Sequence, residues 1–553
     1  MDLVVRGGTV IDGSGSPGVR ADVGVIGDRI AKIGQITASG ATEIDARGYV
    51  VTPGFIDAHT HMDAQVFWDQ LGSSSCWHGV TSVVMGNCGF TLAPSRAGAH
   101  KLVLDNLERA EDIPADVMIR GIDWSWETFP EYLAAIERTP KAINYATQIG
   151  HSALRTSVMG ERAFGGVATE ADVAAMCDAA AEAVRAGAFG FTTSISDHHE
   201  TPDGKPVASR FTSWSELTAI IEATGRAGAE IFQLAVDTEK TETTDLGMAT
   251  EFWDRLRRLA IDTRMAVTYG LRRQHLATQL EMFDQAARDG ARMFGQCQSH
   301  LSTVVYSLTT IMPFDDMPAW KPIRRSPLSE QLARMRDPEV RAALAAAMEA
   351  SPGRRPIGSL MPLGPDFEGQ TVRQIADGRG ITAAEALIDL ISEGGPALLF
   401  GYAPTAAEDE AVLTAMRHPH TVMTFSDAGA HVRMMSGADL QTTLLARWVR
   451  ERKAFTLEEG VEMITSRPAR MWRIPERGLL KEGMIADINV FDPDRIAPDL
   501  PFVANDLPGG ASRIVQRAIG LRSTVVAGHE VFREGAHTGL LPGRLLRGPG
   551  ATR

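Results

Sequence analysis

The sequence predicts an α/β protein whose main domain is a (β/α)8 barrel, accompanied by a small β-domain built from both ends of the chain. Eight apolar, strand-like runs alternate with segments rich in Ala, Leu and Glu that have helical periodicity. Such alternation is typical of a parallel sheet, and eight units over about 420 residues favour a barrel over a doubly wound sheet, the main alternative. The eight runs are residues 50–61, 81–89, 142–155, 188–196, 230–237, 264–271, 292–300 and 421–431.

The largest insertion lies between the seventh and eighth of these runs. Its segment 305–323, VYSLTTIMPFDDMPAWKPI, is rich in aromatic residues and prolines. Two interpretations stand: the segment covers a functional site, or its aromatic side chains are ordinary packing. The sequence alone does not separate them.

Short strand-like segments punctuated by Gly and Asp occupy the first fifty residues and return near the C terminus. This pattern indicates one small β-domain to which both termini contribute, with two separate β appendages as the alternative. The Gly- and Arg-rich tail beyond Gly535 is expected to extend over the surface. The predicted division of the chain is 1–53 and 476–553 for the β-domain and its tail, and 54–475 for the barrel.

Composition narrows the class of protein. Lys and Arg total 55 against 69 Asp and Glu, and this net charge of −14 argues against general binding to nucleic acid or anionic lipid. We see no secretory signal and no apolar stretch long enough to span a membrane. The chain has only four scattered cysteines, so we do not expect a disulfide framework. This cysteine usage favours a cytoplasmic location.

Two histidines, His59 and His61, stand one residue apart in the stretch GFIDAHTHMDAQ, at the end of an apolar run. On a strand, side chains at i and i+2 point to the same side, so both imidazoles converge on one small volume. This arrangement predicts a half-site for a divalent metal. The alternative is that both are polar residues where a strand meets solvent.

Other polar residues fall at the ends of strand-like runs, where the reacting groups of a barrel lie. The second run ends in Cys88 within GNCG, the third in His151 within GHS and the eighth in Asp427 within SDAGAH. Cys88 is a candidate thiolate ligand, although a lone cysteine at a strand end is also an ordinary buried residue. Asp427 is a candidate metal ligand or base, or a helix cap. The repetition at one rim favours the functional interpretation.

Several motifs together resemble the amidohydrolase superfamily, and within it the D-aminoacylase (N-acyl-D-amino-acid deacylase) group. The resemblance implies a metal-bearing barrel with a small β-sandwich built from both termini. It further implies that His59, His61, Cys88 and Asp427 surround zinc, one or two ions per chain, with Asp427 as the proton-transferring carboxylate. The motifs that carry the resemblance are TPGFIDAHTHMD, GVTSVVMGNCGFTLAP, GHSALR, TFSDAGAH and TSRPARMWRIPERGLLKEGMIADINVFDP.

The chain departs from this group at the ends of the fifth and sixth strands, where two further histidines are expected to bind metal. The corresponding runs contain Gln233 and Tyr269 and no histidine. Either the second metal is absent, or its ligands come from elsewhere in the chain. The candidates for additional metal or substrate contacts are His151, His198 and His199.

The resemblance implies a hydrolase that cleaves the amide bond of an N-acyl amino acid or related N-acyl amide, and the candidate ligands suit attack by zinc-bound hydroxide. Arg155, Arg433 and Tyr269 are candidate contacts for this small-molecule substrate, the arginines because a guanidinium suits a carboxylate. Two alternatives are a hydrolase of cyclic amides such as hydantoins or lactams, and an inactive binding protein with the same barrel. A monomer and a homo-oligomer are equally compatible with the sequence.

Overall fold

The computed structural model describes residues 1–236, 250–300, 304–350, 356–367, 369–434 and 437–552. Each of the eight predicted runs contains a strand, and the last residue of the fifth run, Asp237, lies outside the described residues. The strands are β1 Phe55–Asp57, β2 Val80–Met85, β3 Asn144–Thr147, β4 Gly190–Ser194, β5 Ile231–Ala235, β6 Ala266–Gly270, β7 Met293–Cys297 and β8 Thr421–Met423.

All eight strands pair in parallel and lie in two ladders, and a third parallel ladder joins the segments that continue β1 and β8. One ladder joins β1, β2 and β3, and a second joins Ile149–Gly150 with β4, β5, β6, β7 and β8. In the third, Phe425–Ala428 pairs with His59–Thr60, and Phe425 lies opposite His59. Because parallel strands end at a shared edge, the residues that follow them come together on one side.

Helices separate most of these strands, and many begin at the sequence signal Thr-x-x-Glu, in which both side chains cap the first turn. The segment Leu444–Glu451 is π-helical and continues the helix Leu440–Thr443. No helix in the described ranges is long and apolar enough to cross a membrane. The other α-helices are His100–Leu107, Ala115–Gly121, Phe129–Arg138, His151–Met159, Glu170–Ala186, Trp214–Arg226, Thr250–Thr263, Leu276–Arg288, Lys321–Arg324, Leu328–Arg336, Pro338–Ala350, Val372–Arg379, Ala383–Gly394, Ala406–Arg417, Leu457–Ile464 and Ser466–Trp472.

The insertion between β7 and β8 has a hydrophobic core of its own. Phe314 and Trp320 are completely buried there, with their rings 4.0 Å apart between centroids. The small antiparallel sheet of this insertion consists of Tyr306–Ser307, Leu399–Tyr402 and Leu360–Pro362. For these two aromatic residues the structure therefore agrees with ordinary packing and not with a cover over a site.

Strands from both ends of the chain share one nine-stranded sheet. Its central contact is antiparallel pairing of Val50–Pro53 with Ile488–Phe491, so the two ends are not separate appendages. Two further antiparallel strand pairs follow along the chain. They are Ala497–Pro498 with Ala518–Ile519 and, between these two strands in sequence, Phe502–Leu507 with Ala511–Val515. The remaining strands of the sheet are Leu3–Val10, Val19–Ile26, Arg29–Gly34, Thr42–Asp45, Leu521–Val526, His529–Arg533 and Ala536–His537.

The C-terminal tail does more than extend over the surface. Tyr145 of β3 donates a backbone hydrogen bond of 2.9 Å to Arg544, and Leu546 donates one of 2.7 Å to Tyr145. The side chain of Leu546 is buried in an apolar cluster with Phe189 and Trp472. The tail therefore lies over the surface for most of its length, as expected, but two of its leucines, Leu545 and Leu546, are buried in apolar clusters.

We expect Leu546→Ala to lower the free energy of unfolding by about 2 kcal/mol or more, because it removes a buried side chain that the surrounding residues cannot replace. Leu540→Ala is the matched control, since Leu540 is 46% exposed in the same tail. The denaturant midpoints of both variants and the parent measure the effect. Equal midpoints for the two variants would contradict the assigned role of Leu546.

Candidate metal centre

His59 and His61 lie at the floor of a cavity of about 440 Å³, at the C-terminal ends of the parallel strands. Both side chains are almost completely buried, and their ring centroids are 5.5 Å apart. The convergence predicted from their i, i+2 spacing is thus present in the structure. Two buried imidazoles that face the same cavity are the first two donors of a candidate metal site.

The orientation of His59 is fixed by an amide side chain. Its Nδ1 donates a hydrogen bond of 2.5 Å to Oε1 of Gln296, and Nε2 of Gln296 donates one of 3.1 Å to the hydroxyl of Thr268. The other ring nitrogen, Nε2 of His59, therefore carries the lone pair that faces the cavity. Burial lowers the pKa of His59 to about 4, so the ring is neutral, as a metal ligand must be.

Cys88 occupies a tightly held turn after β2. Its backbone is left-handed, with φ of 55°, a conformation that non-glycine residues rarely adopt. The Asn87 amide donates to the carbonyls of Thr60 and Val84 at 3.1 and 3.0 Å, and the Cys88 backbone N–H donates to Gln233 Oε1 at 2.7 Å. These bonds place Sγ 3.4 Å from Nε2 of His59.

The buried thiol of Cys88 needs a cation to become a good ligand. Burial raises its pKa to about 11, although the neighbouring His61 acts in the opposite direction. A metal ion in contact with the sulfur would deprotonate it. The environment of Cys88 therefore suits a metal-bound thiolate more than a free nucleophile.

Asp427 lies beside both histidines, on the strand Phe425–Ala428. Its Oδ1 is 3.3 Å from Nε2 of His59 and 3.5 Å from Nε2 of His61. Burial acts to raise its pKa, but the contact with His61 and the electrostatic interactions with the neighbouring histidines outweigh this effect and hold the pKa below its ordinary range. Asp427 is therefore ionised at neutral pH.

The turn after Asp427 approaches the first strand so closely that only glycine fits. At Gly429, with φ of 95°, an added Cβ would lie 2.7 Å from the backbone carbonyl carbon of His61. The glycine of the sequence SDAGAH thus allows Asp427 to reach the two histidines.

Glu111 is a second carboxylate of the site that the sequence analysis did not identify. Glu111 belongs to a loop after the helix His100–Leu107, and its Oε2 lies 3.5 Å from Nε2 of His61. Burial raises the pKa of Glu111 to about 8, although the charge of His61 acts against this. Nothing in the local sequence LERAEDIP distinguishes Glu111 from Glu108 or Asp112, since no strand leads into it.

The donor set and its spacing fit a zinc ion. One ligand atom from each of His59, His61 and Cys88 lies within 4.8 Å of the other two. Tetrahedral zinc with bonds of about 2.0–2.3 Å separates its ligand atoms by roughly 3.3–3.8 Å. The contacts of 3.3 to 3.5 Å that His59 makes with Asp427 and Cys88, and His61 with Asp427, fall in this range.

His151 and Arg155 belong to a separate buried network and do not line the cavity. His151 contacts Thr193 at 2.8 Å and Glu216 at 3.0 Å, and Arg155 binds both carboxylate oxygens of Glu216. The reason is local: the strand ends at Gly150, so His151 is the first residue of a helix and its ring points away from the site. The structure does not support their predicted metal and substrate contacts.

Tyr269 and Arg433 are also engaged away from the metal-binding atoms. The ring of Tyr269 packs between Trp253 and Phe283, at centroid distances of 4.8 and 5.1 Å, and does not line the cavity. Arg433 forms an ion pair with Asp112, a residue of the cavity wall. Strand alternation explains why Tyr269 faces away from the cavity, because the neighbouring Thr268 faces inward towards Gln296.

His198 and His199 do line the cavity, as does Gln233 of β5. Nδ1 of His199 is 2.6 Å from the hydroxyl of Ser194, and neither histidine belongs to the metal-binding cluster found among the described residues. At the ends of β5 and β6, where two histidines were expected, the chain has amide and hydroxyl groups that support Cys88 and Gln296.

Comparison with known proteins identifies the family. The model of the Amidohydrolase family matches residues 42–532, and the chain belongs to that family. D-aminoacylase of Alcaligenes xylosoxydans xylosoxydans is 29% identical over 555 residues, covering 99% of this chain and 97% of that protein.

Two solved structures are similar over almost the whole chain. One is a D-aminoacylase with a binuclear metal centre that shows one-metal activation and second-metal attenuation; it has a TM-score of 0.66 and 25% identity, covering 99% of each chain. The other is N-acyl-D-glutamate deacylase from Bordetella bronchiseptica, complexed with zinc and a phosphonate inhibitor that mimics the tetrahedral intermediate. Its TM-score is 0.65 at 25% identity, again covering 99% of each chain.

We expect Gln296→Ala to weaken zinc binding by roughly 10- to 100-fold, because His59 loses the acceptor that fixes its tautomer and ring orientation. Gln285→Ala is the control, since Gln285 bonds only to exposed side chains of its own helical region. Competition with a chromogenic chelator measures the affinity of both variants. Parent-like affinity in Gln296→Ala would show that the hydrogen bond does not orient the ligand.

Proposed function

We propose that this protein is a zinc-dependent hydrolase that cleaves the amide bond of an N-acyl amino acid or a related linear N-acyl amide. The observation that carries the proposal is the cluster of His59, His61 and Cys88 at a cavity floor, with the ionised Asp427 in contact with both histidines. The names of the similar proteins, which act on N-acyl-D-amino acids, support the same chemistry and substrate class.

In this proposal His59, His61, Cys88 and Asp427, or three of these, would hold the metal and leave one position open for water. Zinc bound there would lower the pKa of that water to about 7 and polarise the substrate carbonyl. Asp427, ionised beforehand, accepts the proton of the attacking water and delivers it to the leaving nitrogen.

The cavity also contains cations for the carboxylate of an N-acyl amino acid. Arg109 and Arg272 line it, and a guanidinium binds a carboxylate through two parallel hydrogen bonds. Arg109 also pairs with Glu200 at 2.7 Å, whereas Arg155 and Arg433, which pair with Glu216 and Asp112, do not line the cavity. His198 and His199 also line the cavity but lie outside the metal-binding cluster, so they are candidates for substrate contact.

We further propose that β1 to β8 complete a closed (β/α)8 barrel spanning residues 54–475. Pairing of Phe425–Ala428 with His59–Thr60 supports closure, because the former continues β8 and the latter continues β1. The shared nine-stranded sheet supports assigning 1–53 and 476–553 to one β-sandwich domain. Four free cysteines in the described ranges support a cytoplasmic location.

We expect Asp427→Asn to reduce kcat at least about 100-fold, because the amide side chain cannot accept the proton that the carboxylate accepts. The assay is zinc-reconstituted hydrolysis of a panel of N-acyl-D- and N-acyl-L-amino acids, with bound zinc and circular dichroism measured on each variant. Asp289→Asn, on the protein surface, is the control and is expected to match the parent.

Two results would contradict this assignment. Substantial turnover by a zinc-loaded Asp427→Asn variant would remove Asp427 from proton transfer. No hydrolysis of any linear N-acyl amide by a zinc-loaded parent protein would remove the proposed substrate class.

A further inference from the structure

Glu111 is a buried carboxylate whose one ion-pair contact among the described residues is an imidazole. It is 2% exposed, it lines the cavity, and its Oε1 makes no hydrogen bond. Within the described ranges its only ion-pair contact is His61, and no lysine or arginine lies close enough to neutralise it. An ionised carboxylate in such a place is unfavourable unless a cation sits beside it.

The backbone holds Glu111 firmly in this position. Its N–H donates to the carbonyl of Leu107 at 2.9 Å, and its carbonyl accepts the N–H of His431 at 2.6 Å. His431 belongs to the loop that follows Asp427, so the two carboxylates are fixed to each other through main-chain contacts. The side chain of Glu111 is therefore part of the site wall and not a surface group that turned inward.

The two carboxylates stand at equal distances from one imidazole. Nε2 of His61 is 3.5 Å from Oε2 of Glu111 and 3.5 Å from Oδ1 of Asp427, and neither ring nitrogen of His61 makes a hydrogen bond. Both separations place a carboxylate oxygen within reach of a metal ion bound to Nε2 of His61. His61 is thus arranged as a ligand between two acidic ligands.

We propose that Glu111 is a further metal-binding carboxylate of this centre. The inference rests on the proposed function, since it assumes that zinc occupies the site beside His61. Its negative charge enters a site that has Gln233 on β5 and Thr268 on β6 and no histidine at either place. Glu111 thereby adds a negatively charged ligand to a site whose β5 and β6 supply no histidine.

The test compares Glu111→Gln and Glu111→Ala with the parent protein. We expect zinc affinity, measured by chelator competition, to fall at least about tenfold in both variants. In the cobalt-substituted proteins the visible absorption bands are expected to change, because they report the number and type of ligands. Circular dichroism confirms that each variant is folded.

Asp112→Asn is the matched control. Asp112 is the next residue and another carboxylate of the cavity wall, but it pairs with Arg433 and not with His61. Its φ of 49° is left-handed, and asparagine tolerates this conformation well. We expect this variant to keep the zinc affinity and cobalt spectrum of the parent.

The outcomes separate this inference from the proposed function. Unchanged zinc affinity and cobalt spectrum in both Glu111 variants would overturn it, even if their turnover fell, while leaving a zinc-dependent parent enzyme in place. An equal loss of zinc affinity in Asp112→Asn would also overturn the inference, because the loss would then come from a disturbed loop and not from a missing ligand. A parent protein that binds no zinc would overturn both the inference and the proposed function.

Discussion

Buried charge at the cavity floor is the constraint on which the rest of the structure depends. Two imidazoles, a thiol and two carboxylates converge there with little exposure to water. Acidic groups at this depth are costly unless a cation balances them, and a divalent metal balances several at once. The ligand atoms of His59, His61 and Cys88 lie within 4.8 Å of one another, and Asp427 contacts both histidines, so a divalent metal fits among them.

This convergence requires strained backbone conformations at two of the site residues. Cys88 and Asp427 both adopt left-handed φ values, 55° and 56°, which cost about 1–3 kcal/mol each in a non-glycine residue. Asn87 and Gln233 hold the first turn, while the close approach of Gly429 to His61 permits the second. Strain of this kind persists because parallel strands and their hydrogen bonds determine where each turn must go.

Much of this arrangement was predictable from sequence. Apolar runs located all eight strands, and the spacing of His59 and His61 predicted their convergence because strand alternation is a local rule. The same rule, applied to Thr268 and Tyr269, places the tyrosine outside the cavity. Other features depend on distant contacts: Gln296 supports His59 across many residues, and Glu111 comes from a loop without periodicity.

His151 shows why position at a strand end is not sufficient. The strand stops one residue earlier, so the side chain follows helical geometry and meets Glu216 instead of the metal-binding atoms. The tail is the opposite case, since Leu546 is buried although its surroundings in sequence indicate a surface segment. In both cases tertiary contacts decided what local composition could not.

Titration of metal-free protein with zinc, followed by hydrolysis of an N-acyl-D-amino acid, tests the central claim most directly. The account predicts no turnover without metal and a rise to a plateau as one or two equivalents of zinc bind. Equal turnover without metal, or a protein that takes up no zinc, would contradict it.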